Sequence, residues 1–311
     1  MKHFFSYVEA AADIPAPQAV TIGNFDGVHL GHRALLRAAR RAADERKLPL
    51  AVLTFDPHPS AVLSPETARP SLTTPERKRA LLAEAGVDVA VFQRFDESFA
   101  ALSAEEFASE VLAKALHARR VIVGENFRFS RDREAGINRL STLGAANGFE
   151  VQAESLASAE GTPVSSSQIR TLLAEGNVRD AALLLSRFHE VEGRVVGDRK
   201  LGRTFGFPTI NLSEVRVQVP MNGIYAARVE IGGARHQAAV YIGDRPTQGA
   251  GFAVEAHLLD FEGDLYDRTA RLLFIERIRG DMKFDSNEHL IEQIGADIAS
   301  VRRILAQEQN P

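Results

Sequence analysis

Two histidines three residues apart, His29 and His32, follow a short apolar run and a glycine-rich turn in Val20-Thr21-Ile22-Gly23-Asn24-Phe25-Asp26-Gly27-Val28-His29-Leu30-Gly31-His32. That spacing puts both imidazoles on one face of the first turn of a helix. A helix start presents free backbone N–H groups and the positive end of the dipole, so anions are favoured there. Gly23 and Gly27 let the backbone bend tightly and leave room for a ligand. Two imidazoles beside such a terminus fit phosphate chemistry, in which each well-aimed donor is worth on the order of 3 kcal/mol in the transition state. Asp26, in the same turn, orients the loop or a magnesium-bound water. It is not needed as a base, because a phosphate nucleophile is already ionised.

A second set of polar residues lies far down the chain. In an extended Gly206-Phe207-Pro208-Thr209-Ile210-Asn211-Leu212, Thr209 and Asn211 share one side and Ile210 and Leu212 the other. A hydroxyl beside an amide suits magnesium, water and nucleotide phosphate. Glu255, within Ala253-Val254-Glu255-Ala256-His257-Leu258-Leu259-Asp260-Phe261, falls on the side of Leu259 and Phe261, where an ionised carboxylate needs water or a partner. There it reads as an exposed edge residue.

Two kinds of element must position these groups. In the first half, apolar runs at Leu50–Phe55, Val87–Phe92, Arg120–Gly124 and Phe149–Ala153 alternate with helical stretches. The signals between them are Thr74 as a cap with Pro75 behind it, Gly86 as a stop, and Ser103-Ala104-Glu105-Glu106 as a capping box. Alternation of this kind predicts an α/β domain with a doubly wound parallel sheet and its crevice at the C-terminal ends of the strands. Near Arg187 helical periodicity fades. Strands are predicted at 191–196, 223–231, 238–242, 252–261 and 269–278, with hairpin turns at Gly232-Gly233 and Glu262-Gly263-Asp264. They predict a small antiparallel β-barrel. A terminal helix from Ser286 to about Gln307 carries an apolar face of Leu290, Ile291, Ile294, Ile298, Val301 and Ile304. The expected domains are 1–186 and 187–311.

The bulk properties narrow the classes. A chain of 311 residues with 45% hydrophobic and 25% charged residues can fill two cores. A net charge of −4 gives no electrostatic footprint for nucleic acid or an anionic membrane. The absence of cysteine excludes disulfides, thiolate catalysis and zinc–cysteine sites. No apolar run approaches a membrane span and the N-terminus does not continue into a signal peptide, so a cytoplasmic location is expected. Neither G-x-G-x-x-G nor a P-loop occurs. The sequence sets no oligomeric state.

The string G-N-F-D-G-V-H-L-G-H resembles the H-x-G-H nucleotidylyltransferases in the form found in bacterial bifunctional riboflavin kinase/FAD synthetases. Several further segments resemble that family in its order: Thr54-Phe55-Asp56-Pro57-His58-Pro59; Gly124 to Ser130; Val164-Ser165-Ser166-Ser167-Gln168-Ile169-Arg170; the Gly202–Gly206 loop; Pro208-Thr209-Ile210-Asn211; Pro220–Tyr225; Gly243–Thr247; and Ile278–Phe284. The resemblance implies an N-terminal FMN adenylyltransferase and a C-terminal riboflavin kinase. ATP is the co-substrate, Mg2+ the cofactor, and riboflavin, FMN and FAD the substrates and products. In the first domain it places nucleotide at Gly23, Phe25, Asp26, Gly27, Asn126, Ser165, Ser166, Ser167 and Arg170. Flavin lies at Phe55, Pro57, His58, Phe127, Arg128 and Phe129, and His29 and His32 are catalytic. In the second it places ATP and magnesium at Gly202, Gly206, Pro208, Thr209 and Asn211, flavin at Arg279 and Phe284, and the general base at Glu255.

The chain departs from the family pattern at several points. Ser130 stands for glycine, Ile137 follows Gly136 where an acid is common, Ser167 stands for threonine, Ile210 for alanine and Tyr241 for asparagine. If Ser130 and Ile137 weaken the first site, only riboflavin kinase activity remains. H-x-G-H alone also leaves open a cytidylyltransferase for the first domain.

Overall fold

In the computed structural model, which describes residues 1–14, 17–129, 135–155, 158–159, 162–197, 207–244 and 252–308, two compact units divide at Ser165/Ser166. The first holds six parallel strands: β1 (Lys2–Phe4), β2 (Gln18–Ile22), β3 (Leu50–Asp56), β4 (Val89–Arg94), β5 (Ala118–Gly124) and β6 (Glu150–Glu154). Their order is β1-β4-β3-β2-β5-β6. The connection direction reverses at β2, so the switch-point crevice lies where β2 and β5 end. The edge strand β1 and the helix after it, α1 (Tyr7–Ala11), were not legible in the sequence. They are too short to show periodicity.

All five β2 residues are buried, as in a strand covered on both faces. One face carries Val20, Ile22, Leu53, Val91 and Val121 against α1, a π-type helix (Phe107–Ala115) and Leu140 and Leu143. The other carries Ala19, Leu50, Val52, Ala90 and Ile122. Against it pack Leu36 and Ala39 of α2 (Leu30–Glu45) and Leu81 and Leu82 of α4 (Pro75–Glu84), with α3 (Pro59–Leu63) lying between these helices in sequence. Thr74 caps α4 through the Arg77 amide, and Ser103 and Glu106 form the expected capping box. That box starts a short turn, α5 (Ala104–Glu106), which continues as the π-type helix. α6 (Ile137–Asn147) precedes β6. Ser158–Ala159 and Thr162–Pro163 make a small antiparallel ladder.

The second unit opens with α7 (Ser166–Ala174) and α8 (Val178–Leu185). β7 (His189–Val196), β8 (Ile210–Ser213), β9 (Gly223–Ile231), β10 (Ala234–Asp244), β11 (Phe252–Leu258) and β12 (Thr269–Arg279) follow. They close in the order β8-β11-β10-β9-β12-β7 with every pair antiparallel. Alternate residues such as Tyr225, Val240 and Ala256 fill the barrel and are fully buried. Gly232 (φ 60°) and Gly233 (φ 84°) make the expected two-residue hairpin, since both positions need positive φ. The Glu262–Asp264 hairpin is not found. β11 ends at Leu258 and β12 begins at Thr269, so this connection is a loop rather than a tight turn.

Outside the barrel, α9 (Asn287–Gln307) packs Ile298, Val301, Ile304 and Leu305 on Ala226, Leu259 and Ile275. Ser286 caps it through the His289 amide. Ile291, assigned to its apolar face, is 40% exposed. The buried stripe begins further along, because Asp297 rather than a hydrophobe occupies its centre.

α6 approaches β6 closely at Gly144, where a Cβ would stand 2.7 Å from the Phe149 carbonyl oxygen. Gly144→Ala is therefore expected to destabilise the first unit by about 1–3 kcal/mol. Urea unfolding followed by far-ultraviolet circular dichroism measures this, and an unchanged midpoint would contradict the close packing.

Candidate active sites

In the first unit the β2–α2 loop carries the two histidines. Phe25 (φ 47°), Gly27 (φ 83°) and Val28 (φ 39°) all lie at positive φ. For Phe25 and the β-branched Val28 this conformation costs of order 1–3 kcal/mol each. Burial offsets it, since both side chains are fully enclosed. Asp26 turns inward and accepts the Leu72 amide (2.9 Å) and the Thr73 amide (3.3 Å), while the Gly27 amide donates to Thr73 Oγ1 (3.3 Å). The segment before α4 thus clamps the loop.

His29 caps α2, its Nδ1 accepting the His32 amide at 3.4 Å. The two imidazoles stack with centroids 3.7 Å apart, and Phe25 packs on His32 at 5.2 Å. Phe25, assigned to nucleotide, is fully buried, and the contact its ring makes is with His32. Gly31 explains the glycine of H-x-G-H. A Cβ there would lie 3.1 Å from His29 Cε1 and 3.0 Å from the Val164 carbonyl oxygen. Any side chain would push His29 off its stack or move the segment leading to Ser165. A Cβ on Gly23 would meet the Phe25 ring at 3.2 Å.

The β3 exit joins this loop directly. The Asn24 side-chain amide lies 3.0 Å from His58 Nε2, and His58 Nδ1 accepts the Ser60 amide at 3.2 Å to cap α3. The atom of Asn24 that faces Nε2 is the amide nitrogen Nδ2. Pro57 is exposed. Phe55 meets Phe99 at 5.8 Å, Phe99 meets Phe107 at 6.3 Å, Phe107 meets Phe129 at 5.4 Å, and Phe129 stacks on Phe127 at 5.7 Å. The three phenylalanines assigned to flavin therefore belong to one aromatic chain linking the β3 and β5 exits. Phe129 is buried in the core, whereas Phe127 is half-buried and Asn126 and Arg128 are exposed. The Arg128 guanidinium donates to the Phe127 carbonyl at 2.9 Å.

Ser165 ends the first unit, while Ser166, Ser167 and Arg170 open α7 in the second. Arg170 is buried, and its carbonyl accepts the Gln218 side-chain amide at 2.8 Å.

In the barrel, cross-strand register assembles the kinase candidates. Asn211 pairs with Glu255, Glu255 with Tyr241, Tyr241 with Ile224, and Ile224 with Arg279. Directly opposed residues project to the same side, so these five form a transverse row on the outer surface. Asn211 is buried and Glu255 and Tyr241 are half-buried. A Cβ on Gly243 would clash with the Tyr241 phenol, so the ring lies over that glycine. At the end of the row the Arg279 guanidinium grips Asp297 of α9 through Nε (3.0 Å) and Nη2 (2.7 Å), with Gln293 donating to the same carboxylate at 2.9 Å. Arg279 also lies 5.9 Å from the Phe284 ring centroid. The Asp297 partnership leaves no trace in sequence beyond an acid interrupting an apolar helix face.

The Pro208 carbonyl lies 2.8 Å from His257 Nδ1, which fixes the start of β8. Beside it is a cavity of about 400 Å³ lined by Val195, Pro208, Thr209, Leu258, Leu265 and Tyr266. Gly202 and Gly206, like Ser130 and residues 245–247, lie outside the described residues. Among the described residues no cluster of three or more His, Asp or Glu is arranged to hold a metal. The neutral oxygens of Thr209 and Asn211, with a carboxylate opposite Asn211, fit a hard cation that also takes phosphate oxygens. No helix among the described residues is long and apolar enough to cross a membrane.

Residues 11–168 match the family model described as FAD synthetase, and residues 185–305 match that of riboflavin kinase. The bifunctional riboflavin kinase/FMN adenylyltransferase of Pseudomonas fluorescens is 39% identical over 288 residues, spanning 92% of both chains. That of Escherichia coli (strain K12) is 39% identical over 292 residues, 92% of this chain and 93% of the relative. A crystal structure described as a macrolide-efflux protein from Streptococcus pneumoniae superposes with a TM-score of 0.87 at 30% identity, covering 97% of this chain and 99% of that one. With both models matched in order and full-length relatives at this identity, the chain belongs to the bifunctional riboflavin kinase/FMN adenylyltransferase family.

Proposed function

We propose that the two activities are divided along the chain, with residues 1–186 adenylylating FMN and residues 187–311 phosphorylating riboflavin. The row joining Asn211 to Glu255 across β8 and β11 carries the kinase half of this reading. The riboflavin 5′-hydroxyl gives its proton to the Glu255 carboxylate as its oxygen attacks the γ-phosphorus of ATP, and ADP leaves. A hydroxyl nucleophile benefits from such a base. Thr209 and Asn211 hold the phosphates together with magnesium, which supplies charge neutralisation when bound. The cavity next to Thr209, whose lining includes Val195, Leu258 and Leu265 as well as Glu262 and Asp264, takes the adenine end of the nucleotide. Arg279, held by Asp297, and Phe284 border the flavin.

The stacked His29–His32 pair at the start of α2 supports the adenylyltransferase half. An FMN phosphate oxygen attacks the α-phosphorus of ATP, the bond to the bridging oxygen breaks, and pyrophosphate leaves. The nucleophile is already ionised, so the imidazoles act as donors to phosphate oxygens while charge builds there. Gly23, Gly27 and Asn126 bind the nucleotide, and the family resemblance assigns Ser165, Ser166, Ser167 and Arg170 to it as well. Phe55, Pro57, His58, Phe127 and Arg128 face the flavin, and Phe129 supports them. The chain acts on small-molecule flavins and nucleotides in the cytoplasm.

Purified protein with riboflavin, ATP and magnesium is expected to yield FMN and then FAD by chromatography. His29→Ala and His32→Ala should each lower FAD formation about 10²–10³-fold and leave FMN formation unchanged, whereas Glu255→Ala should stop FMN formation and still convert supplied FMN to FAD. A folded variant that loses both products would contradict separate sites.

Asp297→Asn weakens the charge-assisted fork on Arg279. Its expected effect is a rise of about tenfold in the KM for riboflavin with FAD formation from FMN untouched, read from initial rates. An unchanged KM would remove Arg279 from the flavin site. Asn211→Ala should raise the magnesium concentration needed for half-maximal kinase rate, and an unaltered titration would argue against Asn211 as a ligand.

A further inference from the structure

α4 contains three consecutive basic residues, Arg77-Lys78-Arg79. Yet Lys78 is only 8% exposed. Its Nζ donates to the Asn24 carbonyl at 3.0 Å and approaches the Phe55 carbonyl at 3.4 Å. Those carbonyls sit just beyond the C-terminal end of β2 and near that of β3, neighbours in register through Ile22 and Leu53. The Asn24 carbonyl also accepts the Thr54 hydroxyl at 3.0 Å. One ammonium therefore ties the loop that leads to His29 and His32 to the exit that carries His58.

Withdrawing an ammonium from water is unfavourable, and burial pushes the Lys78 pKa below its usual value, while the charges of Asp26 and Asp56 act the other way. A methionine of similar length would fill the same space without that cost. Two joined carbonyls are what the buried charge provides. Asn24 orients His58 through its side chain, and Phe55 begins the aromatic chain that ends at Phe127. Moving either carbonyl would shift groups on both sides of the crevice.

We propose that Lys78 is a positioning residue for adenylyl transfer, holding the histidine loop and the β3 exit at a fixed separation. This rests on the adenylyltransferase reading given above. A displacement of about 1 Å in such a site costs on the order of 100-fold in rate. Lys78→Met is expected to lower kcat for FAD formation by about that factor, with the KM for ATP within about threefold and FMN formation from riboflavin unchanged in the same preparation. Lys78→Gln, which keeps one N–H donor for the Asn24 carbonyl, should recover roughly a tenth of the wild-type rate.

The melting temperature of Lys78→Met should stay close to wild type, because loss of the hydrogen bonds is offset by loss of the desolvation cost. A folded Lys78→Met with wild-type kcat overturns the proposal. If that variant does not fold, a folded Lys78→Gln with wild-type kcat overturns it equally. A wild-type protein that makes FMN but no FAD would instead overturn the adenylyltransferase reading, and this inference with it.

Discussion

Much of the first unit depends on a carboxylate that never needs to reach solvent. Asp26 accepts two backbone amides from the segment before α4, in a loop where Phe25 and Val28 occupy a backbone region that side chains normally avoid. Two non-glycine residues at positive φ within four positions would be a poor local arrangement by themselves. They persist because Phe25 and Val28 bury completely and Asp26 satisfies amides that would otherwise be unpaired. The loop's shape is thus fixed by tertiary contacts, and the histidines inherit that rigidity. Strain held by the surrounding structure is a way of pre-organising donors before a ligand arrives.

The barrel solves the same problem by different means. Its chemistry sits on strands, where register rather than loop shape sets the spacing. Asn211 and Glu255 stand opposite each other because β8 and β11 pair there, and a one-residue slip of either strand would turn its own member of the pair into the barrel interior. Register is well defended: Tyr225, Val240, Val254 and Ala256 all face inward and are fully buried or nearly so. The side chains outside alternate with them, so the core indirectly places the carboxylate. α9 adds a lateral restraint by fixing Arg279 through Asp297.

The order of strands and helices, the barrel and the terminal helix were legible because long apolar periodicities and caps such as Thr74 and Ser103 record them locally. The juxtapositions of His29 with His32 and of Thr209 with Asn211 were legible from spacing, and Glu255 through the family resemblance. The remaining parts depend on partners distant in sequence. Lys78 lies between two arginines, and only the fold buries it. Asp297 looks like a flaw in an apolar helix face until Arg279 is set beside it. Phe129 sits in a motif but serves the core, since its partner Phe107 comes from another helix. The strand β1 has too few residues for a pattern, and its parallel pairing with β4 supplies the stabilisation that its sequence does not advertise.

The contrast between the two sites follows from their nucleophiles. A phosphate oxygen arrives charged, so a base would add little, and on the proposed reading the stacked histidines at the helix start act as donors instead. An alcohol must lose a proton, so on the proposed kinase reading the second site needs an acceptor, the role given to the half-buried Glu255 carboxylate opposite Asn211. Neither set of groups would serve the other reaction well. The imidazoles offer no anionic base for a hydroxyl when they act as donors, and a carboxylate facing an incoming phosphate would repel it by several kcal/mol at the effective dielectric near ~20 that suits such sites. One pocket could not hold both sets without each weakening the other, and a chain that performs both steps therefore carries two.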